Sequence, residues 1–234
     1  MPRAERIFET CLYASDLAAT VDALGRRVGM NVDHLLIGAP DLASGVAWVA
    51  HHLGVTPTPG GRHSGLGTHN ALAGLGGTRY LEVIAPDPEG MRLAPHFAWL
   101  AACTTPKLAT WAARTDDLVP IAAAFESLGV PHSGITAGSR RRLDGSLLEW
   151  WMLFPGETEG GLVPFFIRWR DPAQHPALAL DHALDLESLS FTHPEPERLT
   201  KILGALGMDA RIEEGKTPRL GATVRGPLGL REIV

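Results

Sequence analysis

A helical pattern that ends at a glycine recurs along the chain. In four stretches, an acidic or Pro-Glu start is followed, a few helical turns later, by Leu or Val, then Gly, then a hydrophobic residue. Acidic residues favour the beginning of a helix, and glycine favours its C-terminal cap. The pattern therefore predicts four short helices in copies of one repeated unit. They end at Val28-Gly29-Met30, Leu53-Gly54-Val55, Leu128-Gly129-Val130 and Leu206-Gly207-Met208.

Strand patterns follow three of the four helices. The hydrophobic positions there change from a helical period toward the two-residue alternation of strands. Glycine pairs such as Gly60-Gly61 separate consecutive runs, as hairpin turns do. The repeated unit is therefore predicted to be βαβββ. The predicted units cover residues 31–88, 107–171 and 186–234, and the predicted linkers cover residues 89–106 and 172–185.

The N-terminal copy differs from the other three. Residues 1–30 carry one strand pattern and one helix pattern, but the three returning strands are missing. We consider two interpretations, a partial βα copy of the unit or an N-terminal extension of a domain that begins near Met30.

Composition and charge exclude several classes of function. The chain has 234 residues, of which 45% are hydrophobic, enough for one large or two small packed cores. A net charge of −5 without a long basic run argues against nucleic acid as a partner. Cys11 and Cys103 lack metal or redox spacing. Since neither a signal peptide nor an apolar run of membrane-spanning length is present, we expect a cytoplasmic protein without a membrane partner.

Four motifs carry a resemblance to a known family. The sequence resembles the glyoxalase-like domain branch of the vicinal-oxygen-chelate superfamily, which includes glyoxalases, bleomycin-resistance proteins and extradiol dioxygenases. The resemblance extends over about residues 31–171 and is weak in the third unit. It implies an α+β fold whose tandem βαβββ modules form curled, half-open barrel sheets with helices packed outside. The motifs are VDHLLI (32–37), GGRHSGLGTHNAL (60–72), YLEVIAPDP (80–88) and PFFIRW (164–169).

His34 and Glu82 are the first candidates for chemistry. The family takes metal ligands from the first and last strands of each module, where these two residues lie. A carboxylate among apolar strand residues is costly to bury without a partner. Imidazole plus carboxylate suits Zn, Fe, Mn, Ni or Co, so a divalent metal is one hypothesis. A metal-free catalytic or ligand-binding pair and a purely structural hydrogen bond are the alternatives.

The second unit departs from the family pattern. The counterpart of His34 falls at Ala109 or Thr110, and that of Glu82 falls at Phe166. A third ligand must then come from elsewhere, because catalytic zinc and facial-triad iron use three. We favour His69 as this ligand, which predicts a His34–Glu82–His69 metal site. His63 and, from the third unit, Ser188 and Glu232 are the alternatives.

The glycine-rich stretch Gly60–Asn70 is the second candidate for a functional site. Its exposed backbone N–H groups can bind a carboxylate or phosphate, with Arg62, His63 and Asn70 contributing. A tight hairpin without function is the alternative. Arg140-Arg141-Arg142 is interpreted as a solvated hairpin tip, with an anion clamp as the alternative.

Aromatic residues are concentrated in the second unit. Trp151 and Phe166 are predicted to line a pocket for the substrate, with core packing as the alternative. In the predicted site, Glu82 is a base or ligand, and His69 or His63 is the acid or electrophilic partner.

Two classes of function fit these residues. The first is a glyoxalase-like enzyme of isomerase, lyase or dioxygenase type that acts on an oxygen-rich small molecule in the cavity of the first two units. The second is a metal-free binding or sequestration protein of the bleomycin-resistance type, favoured by the missing ligands of the second unit. An inactive oligomeric scaffold is a third hypothesis. Because one of three units is unmatched, we also expect a homodimer.

Overall fold

The first two units together form one closed eight-stranded barrel. The structure is a computed structural model that describes residues 31–90, 92–142 and 144–234. The predicted partial copy at residues 1–30 lies outside the described residues.

The first unit has the order βαβββ. Its helix α1 begins at Asp41, whose carboxylate accepts a hydrogen bond from the backbone N–H of Ser44 at 2.8 Å. The helix ends at Gly54, which has a φ of 74° in the left-handed region that favours glycine. The acidic start and glycine end that recur in the sequence are thus real caps in this copy. The elements are β1 (Val32–Gly38), α1 (Leu42–Leu53), β2 (Thr58–His63), β3 (Thr68–Gly74) and β4 (Tyr80–Pro86).

The second unit repeats this order. Asp117 accepts a hydrogen bond from the backbone N–H of Val119 at the start of its helix, and Gly129 follows the end with a φ of 66°. The elements are β5 (Lys107–Arg114), α2 (Val119–Ser127), β6 (His132–Arg141), β7 (Leu147–Pro155) and β8 (Phe165–Trp169).

Two seams join the units into the barrel, whose strand order is β1-β4-β3-β2-β6-β7-β8-β5. At one seam, β1 and β5 pair in antiparallel fashion along most of their length. At the other, β2 and β6 pair only through Arg62 with Arg141 and His63 with Arg140. The predicted α+β fold with curled sheets is confirmed, and this second seam closes the sheets that were expected to be half-open.

The barrel separates two hydrophobic clusters. One fills the interior with inward side chains such as Leu36, Trp150 and Phe165. The other lies outside, between the strands and the helices, and includes Leu35 and Trp111. Most strands are therefore buried on both faces, as strands covered by helices are. The linkers lie against the barrel as short 3-10 segments at Pro95–Ala102, Pro172–Gln174 and Pro176–Ala179.

The third unit has the same element order but a different sheet. Its strand order is β10-β9-β11-β12, so its first strand pairs with its second and third strands and not with its last. In the first unit, the first and last strands are neighbours. The elements are β9 (Asp185–His193), α3 (Pro196–Ala205), β10 (Ile212–Glu214), β11 (Arg219–Gly226) and β12 (Gly229–Ile233).

This topology corrects the matching of Ser188 and Glu232 to His34 and Glu82. Because β9 and β12 are not adjacent, the two residues do not form a corresponding pair. Glu232 instead forms an exposed ion pair with Arg219 at 3.2 Å. The homodimer stays a prediction. Within the described ranges, no helix has the length and apolar character needed to cross a membrane.

Candidate functional site

The polar centre of the barrel is built on β1 and β4. These parallel neighbours place His34 beside Tyr80 and Leu36 beside Glu82. Alternate residues of a strand share a face, so His34 and Glu82 both point inward. They are 2% and 5% exposed, and His34 Nε2 lies 3.3 Å from Glu82 Oε2. An imidazole and a carboxylate therefore face each other in the apolar interior.

Asp33 anchors His34 from the other side. Its carboxylate is fully buried and lies 2.7 Å from His34 Nδ1. The indole N–H of Trp169 donates to the second carboxylate oxygen at 3.0 Å, and His175 Nε2 lies 3.0 Å from that same oxygen. Since His175 Nδ1 accepts the backbone N–H of Ala177, its Nε2 carries the hydrogen that is donated to Asp33. Three donors thus converge on this one carboxylate.

These contacts determine the ionisation of Asp33 and the position of the hydrogen on the ring of His34. Burial raises the pKa of the Asp33 carboxyl, but the hydrogen bonds and charges of His175 and His34 outweigh burial and hold the pKa well below its usual value. An ionised carboxylate only accepts hydrogen bonds, so His34 carries a hydrogen on Nδ1. Its Nε2 then faces Glu82, and one shared proton completes the hydrogen bond between them.

Asn70 connects Glu82 to two further groups. Its amide nitrogen donates to Glu82 Oε1 at 2.7 Å and lies 3.1 Å from His63 Nε2. Its amide oxygen accepts from Arg140 Nη1 at 3.1 Å. His63 Nδ1 lies 2.8 Å from the hydroxyl oxygen of Thr68. Both contacts are hydrogen bonds when Asn70 donates one amide hydrogen to Glu82 and the other to His63, which accepts on Nε2.

His63 is a neutral member of this network. Burial lowers its pKa to about 4; the charge of Glu82 opposes this shift, and the charge of Arg140 adds to it. Because Nε2 accepts from Asn70 and Nδ1 faces a hydroxyl, the imidazole is hydrogen-bonded in its uncharged form. His63 therefore orients Asn70 and has no Nε2 proton to donate to a substrate.

Glycines on β2 make room for Arg140. A Cβ atom at Gly60 would overlap Arg140 Nη1 and Asn70 Oδ1, and a Cβ atom at Gly61 would lie 3.1 Å from Arg140 Cγ. Gly138 on β6 plays the same part for Trp150, because its Cβ would overlap the indole nitrogen. The glycine-rich stretch thus admits a cationic side chain into the barrel.

The rest of the cavity is apolar and tight. The ring of Tyr80 stacks on His34 with centroids 4.5 Å apart, and Phe165 meets His34 edge-on at 5.6 Å. The free volume is about 30 Å³, room for about two water molecules. The second unit contributes seven lining residues. One of them, Arg140, is charged, and the other six are apolar or aromatic: Leu148, Trp150, Met152, Phe165, Ile167 and Trp169.

Comparison with known proteins decides the family. A model of the glyoxalase-like domain family matches residues 32–207, well over half of the 234 residues. The chain belongs to the glyoxalase-like domain family. The predicted resemblance to this branch of the vicinal-oxygen-chelate superfamily is thereby confirmed. No curated protein is significantly similar to the sequence.

One solved structure has a fold similar to that of this chain. A hypothetical protein from Staphylococcus aureus has a TM-score of 0.62 and 15% identity over 80% of this chain and 87% of its own. Methylmalonyl-CoA epimerases from Mycobacterium tuberculosis and Streptomyces coelicolor both have a TM-score of 0.40. Their identities are 20% and 18%, over 61% and 60% of this chain and 89% and 96% of theirs.

The glyoxalase-like barrel brings four of the predicted site residues together. His34, Glu82, His63 and Asn70 all line one cavity. Their common location follows from strand alternation, because each side chain lies on the inward face of β1, β4, β2 or β3.

Four other predicted site residues lie elsewhere, and the structure corrects their placement. His69 precedes inward-facing Asn70, so it faces outward and lines a surface groove beside α1. Arg62 also lies outside, where it pairs with Asp87 at 3.0 Å. Trp151 packs against the outer cluster under Arg168, and Phe166 packs against Phe125, because their neighbours face the interior. The Arg140 end of the basic run is buried and does not form a solvated tip.

Sequence reasoning missed Asp33, His175 and Trp169, and it considered Arg140 only in the alternative of an anion clamp. Asp33 stands next to His34 in the VDHLLI motif, and a carboxylate in an apolar run was a usable signal. His175 lies in a linker, 142 residues from the carboxylate it contacts, and no local pattern indicates that pairing.

The donor set does not fit the three-ligand metal sites considered from the sequence. Divalent metals are common in the superfamily. Here the Glu82 carboxylate lies 3.3 Å from His34 Nε2 and 3.7 Å from His63 Nε2, but the amide of Asn70 engages both Glu82 Oε1 and His63 Nε2, and His69 faces away. No cluster of three or more ligating His, Cys, Asp or Glu side chains occurs in the described part of the chain. We therefore derive no chemical step through a metal.

Proposed function

We propose that this glyoxalase-like protein is a small-molecule enzyme of isomerase or lyase type that transfers a proton within an oxygen-rich substrate. The reaction takes place in the cavity shared by the first two units. The observation that carries the proposal is the buried His34–Glu82 pair. Asp33 holds His34 at Nδ1, and Asn70 holds Glu82 at Oε1. A buried acid–base pair in a cavity is a typical site for proton transfer.

Glu82 acts as the base. Its carboxylate removes a proton from a carbon next to a carbonyl group, since it is the acceptor that faces the free volume of the barrel. Asn70 holds Glu82 Oε1 in position at 2.7 Å. In an isomerisation, Glu82 then returns the proton to the neighbouring carbon, and His34 recovers a proton from the hydroxyl group of the first carbon. In a lyase reaction, a leaving group departs with the proton from Glu82.

His34 acts as the acid. Asp33 fixes its ring so that Nε2 points at the pair, and the shared proton moves from Nε2 to the developing oxyanion of the substrate. The negative charge of Asp33 stabilises the protonated imidazole. Arg140 adds a positive charge at the other side of Asn70, where it stabilises the enediolate.

A second function fits one specific feature. Apart from Arg140, the cavity wall from the second unit is apolar or aromatic, with two indole nitrogens as its other polar atoms. Such a wall suits a protein that binds and sequesters a small molecule without reacting with it. In that case, the His34–Glu82 pair serves only to hold the ligand.

Hydrogen–deuterium exchange tests the choice between the two. Protein dialysed against a chelator is incubated in D₂O with dihydroxyacetone, glyceraldehyde, pyruvate and hydroxypyruvate, and the loss of C–H signals is followed by NMR. We expect exchange with at least one compound in the wild type and at least about a hundredfold slower exchange in Glu82→Gln, because general base catalysis contributes about 10²–10⁴ in rate.

His69→Gln is the matched control, because this strand residue of the same unit lies outside the cavity. It should keep wild-type exchange. Equal exchange in the wild type and Glu82→Gln would contradict the assigned base. Binding of a compound without exchange would support the sequestration protein. Exchange that requires added metal would contradict the metal-free mechanism.

A further inference from the structure

Arg140 is a buried cation without an ion-pair partner among the described residues. Its side chain is only 4% exposed and donates from Nη1 to the neutral amide of Asn70. Removing a guanidinium from water is costly unless an anion compensates its charge. Glu82 supplies only indirect compensation, because the amide of Asn70 stands between the two.

Trp150 provides a second unsatisfied donor in the same cavity. The residue is 5% exposed, and its indole Nε1 is buried without an acceptor in the part of the chain that the structure describes. Buried N–H groups nearly always have a partner, so an orphan marks a position where a ligand atom belongs. Trp150 pairs with Gly138 across β6 and β7, one inward position from Arg140.

The donors lie close together because of the barrel seam. Arg140 pairs with His63 across β2 and β6, and the ring of His63 meets Trp150 edge-on at 5.9 Å. His63 is neutral and its ring nitrogens are engaged, so it does not compete for an anion. The seam therefore presents one cation and one neutral donor to the cavity.

We propose that Arg140 and Trp150 form a subsite for the carboxylate group of a short organic acid. The inference rests on the proposed function, because it places this acid in the cavity where Glu82 removes the proton. The planar fork of a guanidinium matches two carboxylate oxygens. A free volume that holds about two water molecules has room for those two oxygens.

The subsite also orients the substrate. Asn70 spans from Arg140 to Glu82, so a carboxylate on Arg140 directs the rest of the acid, including the carbon that loses the proton, toward the base. The substrate class is thus a short 2-oxo or 2-hydroxy acid. Of the compounds offered in the exchange experiment, pyruvate and hydroxypyruvate fit this class, and the neutral sugars do not.

A direct binding titration tests the subsite. Protein labelled with ¹⁵N is titrated with formate, and the indole N–H resonance of Trp150, assigned with Trp150→Phe, is followed by NMR. We expect a saturable shift of this resonance, with sodium chloride at the same concentration producing none. Arg140→Met should weaken formate binding at least about tenfold, because a charge-assisted hydrogen bond is worth more than 1.4 kcal/mol.

Two further variants keep the test decisive. Arg141→Met is the matched control, since Arg141 is exposed and donates to the backbone of Gly145. It should bind formate as the wild type does. If Arg140→Met does not fold, Arg140→Lys retains the charge without the fork and should still bind several-fold more weakly.

The outcome is separable from that of the proposed function. Glu82→Gln should bind formate at least as tightly as the wild type, because a nearby negative charge is removed. An indole resonance that does not move with formate, or that moves equally in Arg140→Met and Arg141→Met, would overturn the subsite. It would leave the exchange result with Glu82→Gln untouched.

Discussion

At the scale of single residues, the site depends on groups whose protonation is set by burial. Asp33 is held ionised against its burial by His175 and His34, and His63 is held neutral by its burial. In both residues, the pKa lies below that of a free side chain. A polar network inside a barrel is stable only when each member is in the form that its neighbours require.

His63 gives the protein a specific dependence on pH. Its pKa is about 4 in the folded protein and 6.5 in the unfolded chain, so between these values the unfolded state binds the extra proton. Stability therefore falls as the pH decreases from 6.5 toward 4, and this effect is absent above 6.5. Between pH 7.5 and 5, the loss from His63 is roughly 2 kcal/mol.

His63→Gln should remove this loss, because glutamine can accept from Asn70 and donate to Thr68 without titrating. The free energy of unfolding, measured with urea at pH 7.5 and 5, should change less in the variant than in the wild type. His51→Gln, at an exposed helix position, is the control and should change as the wild type does. Identical pH dependence in all three proteins would show that His63 titrates normally.

At the scale of elements, strand β2 shapes the site because two of its residues, Gly60 and Gly61, have no side chain. Gly60 and Gly61 leave the space through which Arg140 reaches Asn70. The sequence drew attention to these glycines as a turn that exposes backbone N–H groups. The structure gives them a different part, since they lie on the strand and open the barrel wall for a side chain from β6.

Gly60→Ala should displace Arg140 from the cavity. The backbone at Gly60 is not in the left-handed region, so the added methyl group acts through its overlap with Arg140 and Asn70 alone. We expect a stability loss of about 1–3 kcal/mol, as for other overpacked sites, and loss of the formate-induced shift of Trp150. Urea unfolding and the NMR titration measure the two effects.

Gly204→Ala provides the contrast, because nothing lies within 4 Å of the added methyl group in helix α3. This change should be neutral or stabilise by up to about 1 kcal/mol. A Gly60→Ala protein that still shows the wild-type shift would mean that Arg140 does not need this gap.

At the scale of the whole molecule, the third unit and the barrel share one core. Phe191 on β9 is 2% exposed and meets Trp111 of β5 edge-on at 6.1 Å. The outer cluster runs without interruption from the barrel strands to α3 and β11. His175, in the linker before this unit, is tied to Asp33 at the site. The two parts are therefore expected to unfold together.

Phe191→Ala tests this coupling. All six tryptophans lie before the third unit, so their fluorescence midpoint follows the unfolding of the barrel, although Trp111 also senses its contact with Phe191. The substitution should lower the free energy of unfolding by about 3–5 kcal/mol and shift the fluorescence midpoint to lower urea. Leu230→Ala, at a half-exposed position of β12, should leave the midpoint unchanged. An unchanged midpoint in Phe191→Ala would show that the barrel folds without the third unit.

The repeats and the first candidate pair could be predicted from local patterns. Acidic caps, glycine ends and strand alternation are short-range features, and they located the α+β fold and placed His34 and Glu82 on strands of one unit. The element order alone did not reveal the changed strand pairing of the third unit, because register and neighbours depend on contacts distant in sequence.

The inward direction of each strand was decided only by the tertiary structure. Alternation separates two faces of a strand but does not say which is inside when both are apolar, as in a barrel covered by helices and a third unit. Trp150 and Trp151, like Phe165 and Phe166, are hydrophobic neighbours on opposite faces. For that physical reason, the sequence pattern favoured Trp151 and Phe166 for the cavity, where the structure places Trp150 and Phe165. It also favoured His69, which lies on the face opposite to its neighbour Asn70. The closure of the barrel, and not the sequence pattern, brings Asp33, Arg140 and His175 into the site.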